Sequence, residues 1–275
     1  VAVGGYTGVY DGQPHGATGT AAGVNGENLA SLLDLGAPFS LVPGGAANWS
    51  FAGNINYASS SGTAAVVIGK ATPLVGTSTS PTIEAGTAST TLTGRVALGA
   101  LIPGGSVAVT LNSATQVAAV QADGSFAAMF ATGGLAPSTY SVSYSYSGDG
   151  NFNPSAAAGS LSVFDTTAPS IGSVSASPNV LAPPNHRMID VTVGYQASDV
   201  TGAPVCSVSV ASNEPSNGNG DGHTSVDWQV LDAHHVQLRS ERAGGGGGRI
   251  YTIAIRCTDS SGNARSATTT VAVPK

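Results

Sequence analysis

At 275 residues the chain exceeds one ordinary small domain and suits two or three. Only 9% of residues are charged and the net charge is −6, so no basic face is available for nucleic acid. No run of about 20 apolar residues exists to cross a bilayer as a helix, and the single cysteine pair favours an oxidising compartment, outside the cell or at its surface.

Residues 1–71 open on turn chemistry: Tyr10-Asp11-Gly12, Pro14-His15-Gly16 and Asn25-Gly26. Asp-Gly and Asn-Gly supply the positive φ that tight turns need. Glu27 to Leu33 suggests one short helical turn, closed by Gly36 and Pro38. Thr63-Ala64-Ala65-Val66-Val67-Ile68 is short, apolar and β-branched, the pattern of a buried strand. With Val24-Asn25-Gly26-Glu27 and Asn54-Ile55-Asn56-Tyr57, the Tyr10-Asp11-Gly12 motif resembles the glycine-rich bacterial repeat modules marked by Tyr-Asp-Gly, found in long secreted proteins. The strands are few for a complete sandwich, as in a trimmed copy.

Lys70-Ala71-Thr72-Pro73 reads as a linker, since proline ends a strand and the flanking residues are small. Over 72–165, Ser89–Gly94 and Ser106–Leu111 alternate apolar and polar residues at period two. Asp123-Gly124 predicts a hairpin between Ala119–Ala122 and Ser125–Phe130, and Ser147–Phe152 predicts a second before Ser160–Val163. Leu135, Pro137 and Tyr140 resemble the tyrosine corner of Ig-like sandwiches, whose phenol binds upstream backbone. This segment resembles bacterial Ig-like modules.

Asp165-Thr166-Thr167-Ala168-Pro169 reads as a second linker into residues 166–275, which hold seven of the nine cations. Strands are expected at 171–176, 187–198, 205–212, 226–232, 234–241, 249–258 and 265–273. Cys257-Thr258-Asp259-Ser260-Ser261-Gly262-Asn263-Ala264 resembles the hyaline-repeat-like branch of Ig-type adhesion modules. Tyr251 lies six residues before Cys257, where antibody-type domains place the corner tyrosine two before, so an antibody-like core is not implied. The fold class expected is all-β: tandem Ig-like β-sandwich modules at 1–71, 72–165 and 166–275, strung in an elongated array.

Cys206 and Cys257, each in a strand-like run, are read as a disulfide; two reduced thiols packing as small hydrophobes are the alternative. Asn217-Gly218-Asn219-Gly220-Asp221-Gly222 places oxygen side chains at alternate positions, resembling the start of an EF-hand-type calcium loop. Trp228 stands at the twelfth position instead of a bidentate glutamate, so Asp227 or Glu214 would have to close the shell. A flexible polar connection is the plainer reading of the same residues. His234 and His235 are adjacent in a strand and face opposite ways, which argues against shared metal ligation. Asp232 and Glu241 with Arg239 and Arg242 suggest cross-strand ion pairs. Trp49, Tyr57 and Trp228 could stack on sugars or pack in cores.

No catalytic constellation emerges. The function expected is a non-catalytic structural and adhesive segment of a secreted or cell-surface bacterial multi-domain protein, monomeric, with no cofactor other than calcium. Its expected partners are neighbouring modules, a surface protein or carbohydrate. The rival reading is a carbohydrate-binding accessory module of a secreted enzyme.

Overall fold

The computed structural model describes residues 1–77, 80–217 and 226–275. Among these residues strands dominate, with one 3-10 turn at Ala30–Leu32 where the sequence suggested a helical turn. No helix among them is long and apolar enough to cross a membrane. The chain divides into two compact units: Val1–Thr82, Ala88–Thr132 and Thr139–Ser162 form one, and Ile83–Thr87, Gly133–Ser138 and Val163–Lys275 the other.

The first unit begins with short strands β1 (Ala2–Gly4), β2 (Tyr6–Val9), β3 (Thr18–Thr20) and β4 (Leu33–Asp34), then the longer β5 (Gly44–Phe51) and β6 (Ser60–Gly69). β1 pairs with β3, while β2-β6-β5-β4 form a sheet in which β2 runs parallel to β6. Small side chains carry its core: Ala17, Ala47, Ala64, Val66 and Ile68 are buried, with Tyr6, Phe39 and Trp49 packed against them. Trp49 lies opposite Gly62 in the β5–β6 register, and a Cβ there would sit 2.8 Å from the indole. Glycine therefore makes the room that the ring fills.

A sandwich follows. β7 (Leu74–Thr77), β9 (Ser89–Ala97) and β12 (Ser125–Ala131) form one sheet, ordered β12-β9-β7. β8 (Thr82–Glu84), β10 (Ser106–Leu111), β11 (Ala114–Ala119), β13 (Ser138–Tyr146) and β14 (Ser155–Phe164) form the other, ordered β11-β10-β13-β14-β8. Alternation puts Leu92, Val96, Val107, Val109, Phe126, Val142, Tyr144 and Tyr146 inside. The hairpin expected across Asp123-Gly124 is not one: β11 pairs with β10 and β12 with β9, so this turn carries the chain between sheets. The tight hairpin is instead β10–β11, through Asn112 (φ 45°) and Ser113 (φ 70°). Both angles are left-handed, as a two-residue primed turn requires.

Among the described residues the second unit contains a seven-stranded sandwich of β15 (Ser170–Ser177), β16 (Met188–Ser198), β17 (Val205–Ser212), β18 (Trp228–Val230), β19 (His235–Arg239), β20 (Arg249–Thr258) and β21 (Ala264–Val273). Its sheets run β15-β16-β19-β18 and β17-β20-β21. Lettered A to G in chain order, that is ABED against CFG, the constant-type Ig arrangement. Val191, Val193, Val236, Leu238, Tyr251, Ile253, Ile255, Val271 and Val273 fill the space between the sheets. Each large apolar side chain buried in this way stabilises by roughly 1.5–3 kcal/mol before conformational entropy is charged. Cys206 and Cys257 are bonded, but as directly registered neighbours on β17 and β20. The bridge thus lies within one sheet, whereas antibody domains tie strand B to strand F across the core.

Candidate functional site

Among the described residues polar side chains gather at three places. The first is one end of the seven-stranded sandwich, where β20 begins. Arg249 is wholly buried, and its Nη1 donates to Asp227 Oδ2 at 2.6 Å and to the Tyr251 hydroxyl at 3.2 Å. Its Nη2 donates to the Pro215 carbonyl at 3.1 Å, and its Nε lies 3.4 Å from Glu214 Oε2. Tyr251 in turn donates to the Arg239 carbonyl at 2.9 Å. It does the work of a corner tyrosine, from six residues ahead of Cys257. Burial pushes the Tyr251 phenol up, against the opposing pull of Arg249. Glu241, also fully buried, meets His186 Nδ1 at 3.1 Å.

This geometry reassigns several charges. Asp227 and Glu214, expected to close a calcium shell, spend their carboxylates on Arg249, and Glu214 also accepts from the Ala243 amide at 2.7 Å. Asn217 ends the described stretch, while Asn219 and Asp221 lie outside the described residues. The expected pairs of Asp232 and Glu241 with Arg239 and Arg242 do not form as ion pairs. Arg239 donates to the carbonyls of Val226 and His186, Arg242 to that of Pro274, and Asp232 pairs with His235. His234 and His235 do part ways. His234 stacks on Tyr195 with centroids 4.4 Å apart, and His235 turns to Asp232.

The second place was missed in the sequence. Asp165, Asp199 and Asp259 each bring a carboxylate oxygen within 4.8 Å of the others. They come from the segment entering β15, the β16–β17 connection and the β20–β21 turn. Asp165 Oδ2 accepts from Thr201 Oγ1 at 3.3 Å, and Asp199 Oδ1 from the same hydroxyl at 2.7 Å. Asn263 Nδ2 bridges Asp259 Oδ2 and the Asp165 carbonyl, each at 3.0 Å. Burial works to raise the Asp259 pKa, but the Asn263 amide and the backbone N–H groups of Asn263, Ser261 and Gly262 outweigh it and hold the carboxyl low. An all-oxygen set of this kind is what could hold a hard divalent cation such as calcium. The available signal was Asp followed two residues on by Thr or Ser in all three segments (Asp165–Thr167, Asp199–Thr201, Asp259–Ser261), with Asp-Ser-Ser-Gly-Asn the longest instance.

The third place is in the first unit, where the supposed linker Lys70–Thr72 meets the turn between β13 and β14. Ala71, with 0% exposure, donates its N–H to the Asn151 carbonyl at 3.0 Å and accepts from the Asn153 N–H at 2.7 Å, forming a parallel bridge with Phe152. Asn153 Nδ2 reaches the Lys70 carbonyl at 3.2 Å and Thr72 Oγ1 at 3.1 Å. Lys70 Nζ donates to the Asp149 carbonyl, and Asn151 Oδ1 accepts from the Val42 amide at 3.2 Å. Tyr10 packs edge-on against Phe152, with centroids 5.3 Å apart. Asp149 shapes the turn by accepting from the Gly104, Asn151 and Phe152 amides at 2.8–2.9 Å. Burial raises its pKa, but those three amides and Tyr146 leave it below the ordinary value.

The aromatic candidates for sugar stacking are engaged in packing. Trp228 sits edge-on to Tyr251 at 6.3 Å. Trp49 belongs to the first core, and Tyr57 donates to Glu27 at 3.2 Å; both line a pocket of about 290 Å³ with Phe51 and Leu29.

No protein-family model matches the chain, and no curated protein matches it either. Among solved structures, a Ca2+-stabilized adhesin with which an Antarctic bacterium binds ice is similar at 15% identity and TM-score 0.33, over 86% of this chain and 59% of that one. Mouse Protocadherin-24 is similar at 14% identity and TM-score 0.36, over 99% and 96% of the two chains. Fibronectin(III)-like modules of CbhA from Clostridium thermocellum are similar at 13% identity and TM-score 0.26, over 73% and 94%. At these values the likenesses say nothing of what this chain does.

Proposed function

We propose that the chain is a non-catalytic structural and adhesive segment of a secreted or cell-surface bacterial multi-domain protein. One observation carries the reading. The stretch Lys70–Thr72, which composition marks as a linker, is hydrogen-bonded on both sides of Ala71 into the β13–β14 turn. A spacer that must hold its direction needs connections that are built, because a free linker leaves domain motion as the default. Pulling the chain end to end in single-molecule force measurements tests this. Extension of 1–165 should show no soft pre-unfolding stretch at Lys70–Pro73, and a compliant stretch there would refute the spacer role.

Calcium belongs to the same reading, and Asp165, Asp199 and Asp259 are the described carboxylates that support it. Binding would stabilise the second unit by mass action, since an ion that binds only the folded state adds RT ln(1 + [L]/Kd). Among the described residues the carbohydrate-binding alternative draws support from the pocket shared by Trp49 and Tyr57, whose rings already have protein partners.

A further inference from the structure

We propose that the disulfide of the seven-stranded sandwich is a thiol-reactive site, open to a small thiol at Cys206 and closed at Cys257. The two sulfurs have different surroundings. Cys257 has 0% exposure within the core, whereas Cys206 is half-buried and forms part of the wall of a cleft of about 260 Å³. Tyr195, Ala197, Pro204, Ala233 and His234 make up the rest of that wall.

His234 is fixed in a useful tautomer. Its Nδ1 lies 3.0 Å from the Val193 carbonyl, which can only accept, so Nδ1 carries the hydrogen and, in the neutral ring, Nε2 is the nitrogen with the lone pair. Stacking on Tyr195, with 18° between the rings, holds the imidazole in the cleft wall. The nearby charges are Asp232, whose Oδ1 accepts from the His234 amide at 2.7 Å, and His235, paired with the same carboxylate. An acidic neighbour favours a thiol carrying a positive charge, and cysteamine is such a probe.

The exchange balances as follows. Nε2 takes the proton of the incoming thiol, and the thiolate attacks Cys206 Sγ. A new S–S bond forms to Cys206 as the Cys206–Cys257 bond breaks, and its electron pair leaves on Cys257 Sγ, which is then protonated. The products are a mixed disulfide on Cys206 and a buried thiol at Cys257. The sandwich survives the step because β17 and β20 remain paired from Val205–Thr258 to Ser212–Tyr251. A thiol-bearing partner could therefore be held covalently without unfolding the module.

The test is to incubate the intact chain with cysteamine under native conditions, quench with acid and map the adduct by peptide mass spectrometry. The adduct is expected on Cys206 alone. His234→Gln is expected to slow its formation about tenfold without moving it, less than general-base assistance usually contributes because a few per cent of a thiol is already ionised near neutral pH. Ala233→Trp, which fills the cleft, is expected to protect the disulfide while circular dichroism stays that of the wild type. An adduct on Cys257, no adduct in the folded state, or an unchanged rate in both variants would each overturn the proposal.

Discussion

Arg249 and Asp227 meet at 2.6 Å with neither side chain reaching solvent. The pair joins the start of β20 to the residue before β18, while the same guanidinium holds Glu214 and the Pro215 carbonyl after β17. One side chain thus gathers three chain segments at one end of the sandwich. Among the described residues Asp227 Oδ1 has no hydrogen bond, and Arg239 Nε stands 4.0 Å from it.

Removing one partner of such a pair strands a buried charge. Arg249→Met or Asp227→Asn is expected to cost roughly 3–5 kcal/mol in denaturant unfolding. The joint replacement Arg249→Met with Asp227→Leu is expected to recover most of that loss, because the desolvation penalty of both charges goes with them. A double replacement no better than the worse single one would mean that the pair itself supplies the stability.

The disulfide closes a sequence separation of 51 residues. Cys206→Ala with Cys257→Ala is expected to lower stability by about 4 kcal/mol through the freed unfolded chain. The wild type made under oxidising conditions is expected to show no titratable thiol in denaturant, and two thiols would contradict the bridge.

The Asp149 turn gives a pH dependence. Its folded pKa lies below the ordinary 3.8, so its contribution is fully present above that value and is lost as pH falls through the depressed folded pKa. Acid is therefore expected to loosen the β13–β14 turn only as pH falls through that depressed value. Asp149→Asn is expected to cost roughly 1–2 kcal/mol at neutral pH, from weakened amide bonds, and to flatten the acid limb of the stability curve. An unchanged acid limb in the variant, followed by thermal melts between pH 2 and 6, would assign the acid transition to other carboxylates.

Calcium is expected to raise the melting temperature of the second unit, and a chelator to remove the gain without unfolding it. Asp259→Asn is expected to abolish the increment and Asp227→Asn to leave it in place, read by calorimetry at millimolar calcium. The reverse pattern would return the ion to the ligands suggested by the glycine-rich stretch.

The strands of the seven-stranded sandwich were legible because alternation there is strict: 249–258 was expected and Arg249–Thr258 is found. Its polar ends were not. Asp227 and Arg249 lie 22 residues apart, and nothing local says that they meet. The same holds for Asp165, Asp199 and Asp259, which only the convergence of three connections brings together. Composition also misled at Lys70–Pro73, because small residues that suit a flexible linker suit a close backbone bridge equally well. At Asp123-Gly124 the chain does turn, but turn residues do not say whether the next strand stays in the same sheet.

Amide hydrogen exchange at Ala71 and Asn153 reads out whether Lys70–Pro73 is a fixed connection. Their backbone bonds, at 3.0 and 2.7 Å, are the ones that turn a linker into a fixed connection. Both amides are expected to exchange as slowly as those of Val107 and Val142 in the adjoining sandwich, opening only with the unit as a whole. Exchange at the rate of an unprotected loop, with the sandwich amides still protected, would contradict it.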